Sequence, residues 1–150
     1  MLKTYPESAH SLSLSNLCKY IYGGRGVVTL KSPSGTQHSY AFRKPLEGDE
    51  FPPDVVFVYA VHDRSKLFYL GMIEDGRFRL TRNSRYGDHT EIIKGARYLM
   101  RMINNPDFET PMEVSHEGMC AVCGRQLITE KSRALGIGPR CNKYLKDHVI

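Results

Sequence analysis

Residues 116 to 141 constrain this chain more than any other stretch. They run His116-Glu-Gly-Met-Cys120-Ala-Val-Cys123-Gly124-Arg125 and then, after a short gap, Gly136-Ile-Gly138-Pro139-Arg-Cys141. Two cysteines three apart, with Gly and Arg behind them, predict a knuckle in which both thiolates face one ion, and Gly124 supplies the backbone freedom for the turn. Cys141 adds a third sulfur. It follows Pro139, a residue favoured at the first position of a helix, so its thiol is expected near a positive helix end with a lowered pKa. A closed structural zinc site takes four ligands. His116, four residues before Cys120, is the expected fourth. The rival, His148, lies seven residues past Cys141, about 10 Å along a helix axis, too far to share an ion with bonds near ~2.0–2.3 Å. The alternatives are three unlinked reduced cysteines and, for His116, an ordinary surface histidine. The expected cofactor is one structural zinc ion held by His116, Cys120, Cys123 and Cys141.

The pattern His-Glu-Gly-x-Cys-x-x-Cys-Gly-Arg-x-Leu followed by Gly-Ile-Gly-Pro-x-Cys, from His116 to Cys141, resembles an uncharacterised zinc module of bacteriophage and bacterial proteins. The upstream segment Gly76-Arg-Phe-Arg-Leu-Thr-Arg82 is similar to the corresponding region in phage members. The resemblance implies a metal module and a phage origin, hence a bacterial host cytoplasm, but no settled activity. One departure stands out: the linker Ile128-Thr-Glu-Lys-Ser132 lacks the Asp-Pro often found there.

The chain has 150 residues, 41% of them apolar. A core of roughly 110 residues can stand without disulfides, whereas the last ~35 could not easily do so without a staple such as a metal. We therefore expect a sheet domain over 1–110 and a zinc-binding module over 111–150. Disulfides have little support, and neither a secretory signal nor a membrane-spanning apolar run is visible, so a reducing, cytoplasmic setting is expected.

Ser13 or Ser15 is placed to cap a short helix with the apolar stripe Leu14, Leu17, Cys18 and Ile21. Strands are expected over 27–31 and 38–43 around the turn Ser32-Pro33-Ser34-Gly35, over 55–62, and over 67–73 and 77–81 around Asp75-Gly76. Residues 45–54, with three prolines and four acids, read as a loop. A helix over about 90–104 shows Ile92, Ala96, Leu99 and Ile103 on one side. Residues 105–115 read as a connector. Thr129 caps a short helix ended by Gly136, and a last helix starts at Pro139. The predicted class is α+β: a small antiparallel sheet of about five strands with two helices, and a C-terminal, treble-clef-like zinc-knuckle module.

Net charge is +5, and residues 77–101 hold seven bases against two acids. On a strand Arg77 and Arg79 share one face while Phe78 and Leu80 take the other. With Arg82, Arg85, Tyr86, Arg97 and Arg101, and with Arg125 and Arg140 near the metal, this predicts a surface that holds phosphates and stacks bases. The competing reading is a solvated sheet face. Accessible amides at Gly136 and Gly138 suggest an anion site at a helix start, although those glycines also serve simply to let the chain turn past the metal. Catalysis finds little support. Three cysteines and a histidine leave no open metal position, and no Ser/His/Asp arrangement, phosphate loop or nucleotide fingerprint appears. Two functions follow: a phage accessory protein binding DNA or RNA, or a phage inhibitor binding a host enzyme or antiviral defence complex.

Overall fold

The computed structural model describes residues 10–45, 54–63, 66–105 and 107–148. The centre of the expected 45–54 loop, residues 46–53, lies outside them, as does the side chain of His148. In chain order the elements are β1 (His10–Ser11), α1 (Leu14–Ile21), β2 (Val27–Lys31), β3 (Gln37–Arg43), β4 (Val56–Asp63), β5 (Lys66–Glu74), β6 (Arg77–Leu80), α2 (Glu91–Asn104), β7 (Glu113–His116), α3 (Glu130–Leu135) and α4 (Pro139–His148). The fold is α+β.

All strands pair antiparallel in one sheet of order β1-β7-β2-β3-β4-β5-β6. The turns form where the sequence supplies them. Asp75 and Gly76 both take positive φ, 54° and 74°, as the tight β5–β6 hairpin demands. Ser13 caps α1 by accepting from the Asn16 N–H at 3.3 Å, and Thr129 caps α3 by accepting from Ser132 N–H at 3.1 Å.

The sheet has seven strands rather than about five. The expected connector over 105–115 contains β7, which lies between β1 and β2 and pairs Val114 with Leu30 and His116 with Val28. Residues beyond 110 are thus woven into the sheet. Ala121, Leu127 and Ile137 from the knuckle share one hydrophobic cluster with Leu17 and Tyr20 of α1 and with Val28, Tyr40 and Leu99. The expected division at 110/111 runs across this packing.

Directly paired residues of neighbouring strands share a face, so the register defines two surfaces. On the first, Val28, Tyr40, Phe42, Val58, Ile73 and Phe78 are buried against α1 and α2. The tightest approach is at Gly95 of α2. Tyr40 donates its hydroxyl to the Ile92 carbonyl at 2.7 Å, and a Cβ on Gly95 would stand 2.1 Å from that oxygen. The apolar stripe of α2 falls on Ile93, Ala96, Leu99, Met100 and Met102, with Ile92 and Ile103 at its margins.

The second face follows two rows across the sheet. One is Arg43, Phe57, Met72 and Arg79; the other is Val27, Ala41, Tyr59 and Tyr69. A register shift between Val58 and Tyr59 makes Leu70 the extra residue of a bulge, which keeps Tyr69 and Met72 on this same face three positions apart. Phe57, Tyr59, Tyr69, Met72 and Arg43 are each half-buried.

Candidate metal centre and basic surface

The knuckle is a short hairpin. Met119 bridges Gln126, Cys120 N–H donates to the Arg125 carbonyl at 2.8 Å, and Gly124 N–H returns to the Cys120 carbonyl at 2.9 Å. Gly124 sits at φ 79°, which closes the turn and brings Cys123 round towards Cys120. Cys141 arrives from the first turn of α4. The three sulfurs lie within 4.8 Å of one another, close to the roughly 3.8 Å edge of a tetrahedron with ~2.3 Å metal–sulfur bonds. Cys120 is buried, Cys141 partly so, and Cys123 exposed. The donor set fits a soft or borderline metal ion.

The electrostatics of the three thiols differ. Burial pushes Cys120 up, but N–H groups of Gly138, Cys123 and Val122 outweigh it and leave its pKa below the ordinary thiol value. Two of those contacts are at 3.3 Å from Gly138 and 3.4 Å from Val122. Cys141 shows the opposite. Burial and the neighbouring sulfurs of Cys123 and Cys120 push it up to about 12, so its helix-end position does not lower it as expected. Three thiolates repel one another without a cation between them. A bound metal ion would reverse that balance.

His116 does not join the sulfurs. It is buried on β7, and both ring nitrogens are engaged with backbone: Nδ1 accepts from Gly118 N–H at 3.0 Å and Nε2 meets the Arg133 carbonyl at 2.6 Å. Its ring lies 5.2 Å from Tyr20 and 5.4 Å from His10. Burial lowers its pKa, against the raising effect of the Arg133 carbonyl. Among the described residues the metal-capable group comprises Cys120, Cys123 and Cys141 alone, so His116 is corrected from ligand to a strut joining β7 to α3.

Gly136 ends α3 at φ 75° and stacks its bare backbone on Tyr20, where a Cβ would approach the ring to 2.3 Å. The N–H of Gly136 goes to the Ser132 carbonyl and that of Gly138 to the Cys120 sulfur. Both amides are engaged, so the glycines serve the turn and the metal site rather than an anion.

The sheet splits the basic run. Phe78 packs towards α2, with Arg97 over its ring at 5.6 Å, so Arg77 and Arg79 of edge strand β6 point to the opposite side. Arg97 and Arg101 are exposed on α2, and Arg97 pairs with Asp88. Arg79 pairs with Glu74 at 2.5 Å and Lys94 with Glu91 at 3.5 Å. Among the described residues Arg77, Arg82, Arg85 and Arg101 are in no ion pair. Arg85 instead lies over Phe68, 4.6 Å from its centroid. Tyr86, expected as part of the base-stacking surface, is half-buried edge-on to Phe68 at 6.5 Å. Arg125 and Arg140 are exposed beside the metal group.

Sequence reasoning passed over Arg25, Arg43 and the aromatic residues of the second face. Arg25 lies beside Gly124, and Arg43 is pushed below the ordinary arginine range by burial and then by Arg25. Between knuckle and sheet opens a cleft of about 500 Å³ lined by Arg43, Val61, Leu67, Glu117, Gln126 and Arg133, among others. The signal in the sequence was an alternation inside the apolar run of β4: Phe57 and Tyr59 on one face, Val56, Val58 and Ala60 on the other.

A family model described as a family of unknown function (DUF6011) matches residues 110–146, covering β7, the knuckle, α3 and most of α4. The match agrees with the similarity of this stretch to an uncharacterised family. No curated protein and no solved structure matches the chain. Among the described residues no helix is long and apolar enough to cross a membrane.

Proposed function

We propose that this chain is a zinc-stapled nucleic-acid-binding protein, acting as a phage accessory factor in the cytoplasm of a bacterial host. The observation that carries the binding reading is the set of exposed arginines that are in no ion pair among the described residues: Arg77 on edge strand β6, Arg82 just past its end, and Arg101 on α2. Cations left without intramolecular partners are the groups that contact phosphates and release counterions. Zinc is the natural occupant of a thiolate cluster in a knuckle, and its role is structural: it holds α4 against the turn.

The test is binding of labelled DNA and RNA, single- and double-stranded, at ~50 mM salt and then across a salt series. Arg77→Glu with Arg82→Glu should weaken binding to every sequence and make the salt dependence shallower by about two charges. No binding to any of the four at low salt sinks this function.

A second reading has one observation of its own. Arg85 and Tyr86 converge on Phe68 in a pre-organised cluster, and Arg and Tyr are the residue types that anchor protein interfaces. In that reading the chain occupies a host enzyme or antiviral complex, and Tyr86→Ala abolishes nuclease-resistant capture of that partner.

A further inference from the structure

We infer that the open face of the sheet is a platform for single-stranded nucleic acid, with bases stacked on Tyr59 and Tyr69 and the backbone running between the Arg77/Arg79 edge and Arg43. This rests on the nucleic-acid reading above and specifies its ligand and site.

The register alone places the parts together. Tyr59 and Tyr69 are directly paired on neighbouring strands, their rings edge-to-face at 5.6 Å, and Phe57 meets Tyr69 in the same manner at 6.3 Å. An edge-to-face contact occupies one face of one ring at most, so the pair supports itself without consuming all of its stacking surface. The next row carries an arginine at each end, Arg43 on β3 and Arg79 on β6. Arg79 is paired with Glu74, and Arg77, two residues before it on the same face, is in no ion pair among the described residues. Three strand spacings separate Arg43 from Arg79, about 14 Å, the width over which a four-stranded sheet stacks two or three bases. No helix is needed here for stability, because α1 and α2 bury the other face. Three half-buried aromatic rings and a methionine on the face that no described helix covers exceed what an ordinary solvated sheet face carries.

Charge completes the complementarity. Arg43 is held by its own strand, donating to the Phe42 carbonyl at 3.1 Å and towards that of Gly26 at 3.4 Å, rather than being free to seek water. Burial and then Arg25 depress Arg43, while Tyr59 and Glu117 act on it in the opposite sense, so a second cation stands near the arginine that lines the cleft beside the knuckle. A phosphate held at Arg43 therefore also feels the charge of Arg25. Glu117 also lines the cleft, opposing an anion deep within it and favouring a strand that skirts the rim. A duplex does not fit this chemistry, since its bases already stack on one another and present no free π-face.

The experiment uses the full metal-loaded chain and labelled oligo-dT and oligo-U of about ten nucleotides, within the usual site size of a small platform, with a duplex of equal length. Single strands should bind more tightly than duplex. Tyr59→Leu and Tyr69→Leu should each weaken them roughly tenfold, while Tyr59→Phe and Tyr69→Phe retain affinity. The chain has no tryptophan, so Tyr69→Trp gives a single reporter that should be quenched by oligonucleotide and not by duplex. Equal affinity for dT and U assigns the shared stacking chemistry, and preference for U assigns RNA through its 2′-hydroxyls. If single strand and duplex bind alike, and the leucine variants fold and bind as wild type while the Arg77/Arg82 reversal weakens binding, the platform falls and the nucleic-acid function stands. If no nucleic acid binds, both fall. A concentration-dependent dimer lost in Tyr59→Leu, with oligonucleotide affinity unchanged, would assign the face to a second copy of the chain instead.

Discussion

The two faces of the sheet are built from the same strands yet made to different rules. The face under α1 and α2 is closed: Val28, Tyr40, Val56 and Ile73 are each 1% exposed or less. The face opposite carries rings of the same kinds, Phe57, Tyr59 and Tyr69, and leaves them half-covered among arginines. Burial explains the first choice of residues, because each buried large side chain stabilises the fold by about 1.5–3 kcal/mol. It does not explain the second. Half-covered rings beside cations keep apolar area that a ligand could still cover. Substitutions should therefore separate the faces: stability lost from one, ligand lost from the other.

The largest effect belongs to the staple that the closed face shares. Knuckle residues Ala121, Leu127 and Ile137 lie in the same cluster as α1 and the sheet. Structural zinc contributes on the order of 10 kcal/mol in small modules. Cys123→Ser should release the metal, remove amide protection from residues 117–141, and lower the stability of the sheet as well. Elemental analysis and hydrogen exchange check this. A variant that keeps about one zinc per chain would remove Cys123 from the site, and a sheet unchanged in stability would show that knuckle and sheet are energetically separate.

Next is the closed face itself. Gly95→Ala adds a methyl 2.1 Å from the Tyr40 hydroxyl. The helix gains up to about 1 kcal/mol in propensity, but overpacking costs about 1–3 kcal/mol and the displaced Tyr40–Ile92 hydrogen bond about 1 more. The net is a loss of roughly 2 kcal/mol, read by denaturant unfolding. Adding Tyr40→Phe should recover part of it by removing the oxygen that clashes. Tyr59→Leu on the open face should cost under about 1 kcal/mol by the same measurement. Similar costs on both faces would erase the distinction.

Much of this was legible where a few neighbouring residues decide the structure. The cysteine spacing foretold the three-sulfur group, Thr129 foretold its cap and Ser13 was one of two candidates for the other, and Asp75-Gly76 foretold a hairpin. What stayed hidden depends on partners far along the chain. Strand β7 reads as a proline- and acid-bearing connector because its four residues become a strand only between β1 and β2, more than 80 positions earlier. The basic run 77–101 looked like one surface, yet alternation along β6 sends Arg77 and Arg79 away from the helix that holds Arg97 and Arg101. The bulge at Leu70, which aligns Tyr69 with Met72, has no mark in the sequence.

The effect that depends most on pH concerns His116, and it tests the place of this histidine outside the sulfur group. In the fold its neutral ring satisfies two backbone groups, with Nε2 donating to Arg133 and Nδ1 accepting from Gly118. A protonated ring keeps the first bond and loses the second, because Nδ1 then carries a hydrogen. Burial holds the folded pKa below the ordinary 6.5. Above pH 6.5 both folded and unfolded chains are neutral at this position and its full contribution is present. As pH falls, the unfolded chain takes up the proton first, so stability declines from about 6.5 down to the folded pKa. His116→Gln should bind metal as wild type, cost about 1–3 kcal/mol at pH 7 through an imperfectly satisfied Arg133 carbonyl or Gly118 N–H, and flatten the stability profile just below pH 6.5. Protonation of the thiolates affects both proteins alike, so the difference between their profiles isolates the imidazole. Loss of metal in His116→Gln at pH 7 would return this histidine to the coordination sphere, and an unchanged slope would mean that its ring does not titrate within that range.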